Sequence, residues 1–453
     1  MRNLNRLFLV LFAFAAFGFF TSCDEDEIDT PGGVPAVNAA EVFAASFDEA
    51  QNNTLDPGFT SSFMPMNDLG AICSPGAGTE TTDYKGAIEP NGTPWFANWS
   101  SYENILAGGG TNSLSLGNIV MVTDAITSEA GNTITWTNDN TYVLNGLVFI
   151  NEGQTLEIEP GTVIQGVSGE GANASALIIA RGATIIADGT PDQPIVFTFD
   201  GDTGLTPASE RGRWGGLIVL GSASLNSNPG ESAIEGIDTN EPRGLYGGNN
   251  DADNSGIIRY VSIRHGGTNI GADNEINGLT LGGVGSGTTI DFVEVIGNRD
   301  DGIEWFGGTV NTSHLLSIFC GDDGLDYDEG YRGVNQFVIV HQDPTDGEAD
   351  RGGEHDGGTN PEEAAPFATP VFANVTSIGN PGSRAITFRD NAGGEYYNSI
   401  FFNYGRGIDV EDLEGQDQDS FRQFQDGNLR LECNTFWEIA AGTTGTDLFT
   451  ITN

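Results

Sequence analysis

The chain has 453 residues, with 17 lysines and arginines against 64 aspartates and glutamates, a formal net charge of −47. That charge repels phosphate backbones and excludes non-specific nucleic-acid binding. Past residue 22 no apolar run is long enough to span a bilayer, and recurrent β-branched runs argue against disorder.

Residues 1–22 are expected to be a signal peptide. Arg2 and Arg6 make a basic start, and Leu7 to Phe20 is apolar but too short for a comfortable span. Thr21-Ser22-Cys23 resembles the cleavage site of bacterial lipoproteins, which implies lipidation of Cys23 as the first mature residue. Several acyl chains on one residue give stable anchoring, where one chain would be marginal. The following Asp24-Glu25-Asp26-Glu27 is similar to the surface-export signal of Bacteroidota lipoproteins. The resemblance implies an outer-membrane, lipid-anchored protein exposed at the cell surface. The plainer reading of the charge run is a solvated linker. Residues 23–36 are read as an acidic tether.

Residues 37–117 are read as a cap and irregular region. Val42, Phe43 and Phe47 fall at roughly helical spacing, which predicts one short helix within Ala36–Gln51. Trp95, Phe96, Trp99 and Tyr102 then stand in a Gly/Asn/Ser/Thr/Pro-rich stretch. They suit a sugar-stacking platform or, as the favoured reading, a cover over the open end of the next domain, because solenoid ends need covering. Past Cys23 the cysteines are Cys73, Cys320 and Cys433. Their spacing matches no zinc motif; one disulfide or buried thiols are both compatible with export.

From 118 to 453 short strand-like runs recur between Gly, Asn, Asp and Pro turn signals, without long helices. A 22-residue spacing aligns Ile303-Glu-Trp305 with Leu325-Asp-Tyr327 and Ile386-Thr-Phe388 with Ile408-Asp-Val410. Extending it gives six copies of a five-residue element, beginning at Ile276, Asp300, Asp322, Asp350, Ser383 and Gly405. A second strand precedes most copies, aligned on Tyr260, Phe292, Phe337, Phe372 and Tyr397. Coils of this length predict an all-β fold, a single-stranded right-handed parallel β-helix. Insertions, notably His341 to Pro370, are expected on one face. A propeller would need a period near 40.

Equivalent positions on successive rungs stack about 4.8 Å apart. Leu279, Ile303, Leu325, Ile386 and Ile408 should point inward, and the next residues outward: Thr280, Glu304, Asp326, Glu354, Thr387 and Asp409. Another column runs Asn277, Asp301, Asp323, Arg351, Arg384, Arg406. Like charges about 5 Å apart repel even at a surface dielectric, and a cation would relieve that. Asp300, Asp301, Glu304, Asp322, Asp323 and Asp326 are therefore candidate metal ligands, with calcium favoured by hard oxygen donors. A salt-bridge ladder running into Arg351 is the structural alternative. In the same register Glu354 and Asp356 face outward and His355 inward, which argues against one ion shared by the three.

Asp322-Asp323-Gly-Leu-Asp326 resembles the calcium-binding element of family-nine pectate lyases, with Asp300 or Asp301 as the acid from the preceding rung. Those enzymes use a lysine base, and the single lysine here, Lys85, lies outside the repeats. Other pectate lyases use arginine, which makes Arg351, Arg384 and Arg406 the catalytic candidates. Polygalacturonases share the fold and pair aspartates, but their Gly-His-Gly and Arg-Ile-Lys elements do not occur here.

Over Tyr142 to Asn398 the chain resembles a group of secreted bacterial β-helix proteins of the pectate-lyase-like superfamily. The matching runs are Gly146–Ile150, Ile158–Ile164, Arg213–Leu217 and Asp301–Thr309. That group implies fold and export but no activity. The expected function is non-catalytic binding of a glycan or partner protein with calcium. The alternatives are a calcium-dependent polysaccharide lyase or pectinase-like hydrolase, and a purely structural surface protein.

Overall fold

The computed structural model describes residues 38–453 except 271–274, 359–360, 414, 417 and 453. The expected signal peptide, Cys23 and the expected acidic tether lie outside the described residues. Among the described residues no helix is long and apolar enough to cross a membrane.

From Asn118 the chain winds as a right-handed parallel β-helix with three sheet faces per coil. One face is a ten-stranded parallel sheet running from Leu147–Ile150 to Phe449–Thr452; we call it the third sheet. Its register is the one read from the repeats. Leu279, Ile303, Leu325 and Gly353 pair in succession, followed by Ile386 and Ile408. Alternation sends these residues inward and their neighbours outward. Trp305, Tyr327, His355 and Phe388 form the next inward column, each under 1% exposed, with the Tyr327 and His355 rings stacked at 4.2 Å. His355 is thus a core residue, held by the Tyr396 hydroxyl at 2.7 Å and kept neutral by burial, which pulls its pKa down to about 3.

The other two faces share one bent strand per coil in the middle of the solenoid: Gly256–Arg264, Thr289–Ile296, Thr312–Ile318, Val334–His341 and Val371–Ile378. The residue at each bend drops out of the ladder. Tyr260, Phe292, His314, Phe337, Asn374, Asn398 and Cys433 occupy this corner, all with φ between 48° and 60°. The aromatic alignment of the sequence slips here. Gln336 pairs with Ala373 and Val338 with Val375, so Asn374, not Phe372, lies opposite Phe337. In the next coil Thr376 pairs with Ile400, and Asn398 takes the corner rather than Tyr397. Asparagine tolerates the left-handed conformation, so the corner changes chemistry without changing shape.

The first segment of the described chain covers the opposite end of the molecule from where it enters the solenoid. Helix α1, Ala39–Glu49, buries Phe43 and Phe47 against Phe449 and Phe436 of the last coil. Val42 stays 37% exposed. The chain then runs as a strap along the corner toward the first coil. Cys73 is disulfide-bonded to the corner Cys433. The Asn398 side chain accepts from the Cys73 N–H at 2.9 Å and donates to its carbonyl at 2.8 Å. The Asn374 side chain donates to the Tyr84 carbonyl at 3.0 Å. Trp95 meets His314 and Phe292 edge-on, and Trp99 meets Tyr260 and Phe292. Further along, Ser100 and Ser101 bind the buried Glu294 carboxylate, and the Asn112 carbonyl accepts from Arg264 at 3.0 Å. The aromatic group of residues 95–102 therefore covers a flank of the solenoid rather than an end. Its targets are the corner aromatics, which local sequence does not reveal. Cys320 remains a buried free thiol.

The disulfide closes a sequence separation of 360 residues. Changing both Cys73 and Cys433 to alanine should lower unfolding stability by about 2–4 kcal/mol, read by guanidinium denaturation. The same change should expose residues 52–115 to limited proteolysis before the coils are cut.

Candidate functional site

The outer face of the third sheet changes character along its length. Phe149, Ile178 and Ile218 are stacked in its first coils and covered by Leu225, Ile234, Ile237 and Tyr246 from the excursion between Leu217–Leu220 and Gly256–Arg264. In register after Ile218 come Thr280, Glu304, Asp326, Glu354, Thr387 and Asp409. Thr280 and Glu304 are still covered, 2% and 7% exposed, and the excursion contributes Glu235 beside them.

Five of the six carboxylates named from the sequence meet at this place. Oxygens of Asp300, Asp301 and Asp322 lie within 4.8 Å of one another, as do those of Asp301, Glu304 and Asp326. Asp323 joins through its backbone, donating its N–H to Asp301 Oδ1 at 2.9 Å. Asn277 Nδ2 donates to Glu235 Oε1 at 2.9 Å and also to Glu304 Oε2. Asp301, Glu304 and Asp323 are at most 7% exposed. Burial, reinforced by mutual repulsion, pushes Asp300 up to about 7 and holds Asp301, Glu304, Asp323 and Asp326 well above the usual carboxylate range. Glu235 is raised as well, first by burial. Buried oxygens on Asp323, Asp326 and Asn277 have no hydrogen-bond donor.

The salt-bridge alternative holds only at the C-terminal edge of this cluster. Arg351 Nη1 lies 2.9 Å from Asp350 and Glu354 and 3.4 Å from Asp323. Arg389 pairs with Glu354 at 2.9 Å and Asp356 at 2.7 Å. Among the described residues no cationic side chain makes an ion pair with Asp300, Asp301, Glu304, Asp322 or Asp326. Glu354 and Asp356 do face outward with His355 inward, so the three share no ion.

The catalytic candidates separate. Burial works to lower the basicity of Arg351, and Asp323, Glu354 and Asp350 more than offset it, so its guanidinium is held charged. Arg384 contacts Asp409 at 3.3 Å, and Arg406 is exposed at the far end of the column. Lys85 lies in the strap, 1% exposed, with its ammonium 3.5 Å from Thr435 Oγ1 and burial drawing it down to about 8. Oxygens of Asp301 and Asp322 approach within 4.8 Å, closer than the roughly 6.5–9.5 Å of an inverting glycosidase pair. Sequence reasoning missed Glu235. It arrives from an irregular excursion that carries no repeat signal.

A family model described as a pectate-lyase like beta helix domain matches residues 127–452. The chain belongs to that family. No curated protein matches it. Among solved structures, the catalytic domain of Agl-KA is similar at 13% identity over 73% of this chain and 62% of that one, with a TM-score of 0.27. This chain thus covers less than two thirds of that domain. PfbA, a surface adhesin of Streptococcus pneumoniae, is similar at 12% identity over 70% of this chain and 86% of that one, with a TM-score of 0.23. Neither similarity bears on activity.

A carboxyl whose folded pKa is raised contributes stability that is fully present below its unfolded value and is lost as pH rises toward the folded one. For Asp326 the shift is upward from 3.8. Asp326→Asn should therefore raise the Tm by several degrees at pH 8 without divalent cations. The gain should vanish near pH 4. Thermal melts of the two proteins across that range check it.

Proposed function

We propose that this member of the pectate-lyase-like β-helix family is a non-catalytic binding protein of the cell envelope that holds calcium and engages a glycan or partner protein. The observation that carries the reading is the cluster of mutually repelling carboxylates Asp300, Asp301, Glu304, Asp322 and Asp326, none of which makes an ion pair among the described residues, with Arg351 reaching only Asp323 at the edge. The donor set fits the ion. It is all oxygen, it includes buried atoms on Asp323, Asp326 and Asn277 that lack a partner, and it spans three rungs. Asp300, Asp301, Glu304, Asp322, Asp323 and Asp326 would hold the calcium, with Glu235 at its edge. Bound calcium supplies the positive charge that the ladder lacks.

Catalysis is the weaker reading because the cations nearest the cluster are engaged. Arg351 is shared among three carboxylates, and the single lysine is in the strap. The net charge also matters. A surface at −47 repels uronate polymers unless calcium bridges them, whereas neutral glycans and basic partners meet no such barrier. In this reading Cys23 carries the lipid anchor in the outer membrane, and Asp24 to Glu27 direct display at the cell surface.

Calorimetric titration of the chain lacking residues 1–23 should show micromolar calcium binding. The triple variant Asp322→Asn, Asp323→Asn, Asp326→Asn should show none. Absence of binding by the parent overturns the metal reading, and release of reducing ends or unsaturated products from acidic or neutral polysaccharides overturns the non-catalytic one. For the anchor, metabolic labelling with an alkyne fatty acid should mark the full chain and not Cys23→Ser. An unlabelled full chain removes lipid anchoring from the proposal.

A further inference from the structure

One column of the third sheet changes sign part-way along the solenoid. Asn277, Asp301 and Asp323 are followed in register by Arg351, Arg384 and Arg406. With Arg389, these make four of the chain's sixteen arginines, and all four line one groove of about 470 Å³ on the outer face of the sheet. So dense a basic group is unexpected in a chain at −47.

The charges in the groove are unevenly satisfied. Its acids are Asp350, Asp409 and Glu411. Asp350 pairs with Arg351 at 2.9 Å. Asp409 is buried and accepts from the Thr450 and Thr452 hydroxyls at 2.5 Å and 2.6 Å. Glu411 accepts from the Asp390 N–H at 2.9 Å. Each acid therefore has a partner within the protein. On the basic side, Arg351 and Arg389 are held by their own ion pairs. Arg384 has a 3.3 Å contact to Asp409 and donates to Thr450 Oγ1 at 3.1 Å. Arg406 is exposed and makes no ion pair among the described residues. Burial lowers the basicity of Arg384, Asp409 works against it, and the neighbouring Arg406 and Arg351 charges lower it further, since guanidinium groups on successive rungs repel one another. An anion between them would relieve that repulsion, as a cation would in the ladder.

We infer that Arg384 and Arg406 form an oxyanion clamp for a saccharide bearing one carboxylate or sulfate group. Guanidinium forks match the paired oxygens of such a group, and two forks one rung apart, about 4.8 Å, address it from two sides. The groove volume suits one or two sugar rings. Thr387 and Thr452 add hydroxyls to its lining. An extended polyanion is disfavoured, because the same face continues into Asp350, Asp323 and Asp322. The site is separate from the carboxylate ladder and needs no calcium.

The test is titration of the full-length mature chain with glucuronate, glucose 6-sulfate and glucose in EDTA, followed by calorimetry or ligand-observed NMR. At least one of the two charged sugars should bind, and glucose should not. The tighter of the two identifies the anionic group. Arg406→Gln, at an exposed position with no ion pair, should weaken binding about 10–100-fold, the loss of one charge-assisted hydrogen-bonded contact. Arg384→Gln should do the same, and Arg181→Gln, away from the groove, should bind like the parent. The ladder variant Asp322→Asn, Asp323→Asn, Asp326→Asn should retain the sugar, which separates this site from the calcium reading. Failure of both charged sugars to bind, unchanged affinity in Arg406→Gln, or equal binding of glucose overturns the clamp.

Discussion

The repeat distance between rungs governs this molecule. Parallel strands about 4.8 Å apart place each side chain directly against its counterpart in the coils before and after. Where the repeated residue is apolar, the result is a core: Leu279, Ile303, Leu325 and their successors. Where it is aromatic, the result is a ring stack, as at Tyr260, Phe292 and His314, with centroids 4.5 Å and 4.2 Å apart. Where it is charged, the same geometry sets like beside like. The acids of the middle coils and the arginines of the later ones are both consequences of one periodicity, and both leave charge that a ligand of opposite sign would compensate.

The corner column solves a different problem. A bend in the coil needs a residue at positive φ, and that residue's side chain leaves the sheet and points to the flank. The chain uses six of these seven side chains to hold the strap: rings of Tyr260, Phe292 and His314 against Trp95 and Trp99, amides of Asn374 and Asn398 to backbone groups, and a disulfide at Cys433. Farther along, the pair Arg264 and Glu294 lies 3.7 Å apart and is almost fully buried, and the serines of the strap complete the carboxylate's hydrogen bonds. With that flank covered, and the early coils of the third sheet covered by the excursion, the outward column first becomes partly exposed at Asp326.

The legible parts of the fold were those carried by local repetition. Ile303-Glu-Trp and Leu325-Asp-Tyr share spacing, polarity and flanking glycine, so the third sheet could be read rung by rung, along with the carboxylates on it. The second strand of each coil was harder. Its corner passes from aromatic to asparagine between Phe337 and Asn374, and alignment on rings followed the wrong residue by two positions. Glu235 and the path of the strap were illegible for a shared reason. Both depend on contacts between segments far apart in the chain, such as Cys73 with Cys433, and no periodicity connects them. The aromatic group at residues 95–102 was visible as a covering element, but its target was not.

The joining of Cys73 to the last coil also decides how the molecule would respond to pulling. Ala39 begins the helix that sits on that same coil, so tension entering the folded body through Ala39 can peel away only residues 39–72 before meeting a covalent bond. Force then passes directly into the final coil. The rest of the strap, with its ring contacts and the Glu294 network, lies outside that path and stays seated on the flank. Tugging on the leading end therefore shears one coil at one end of the stack, and leaves the face that carries the acids and arginines undistorted until that coil gives way.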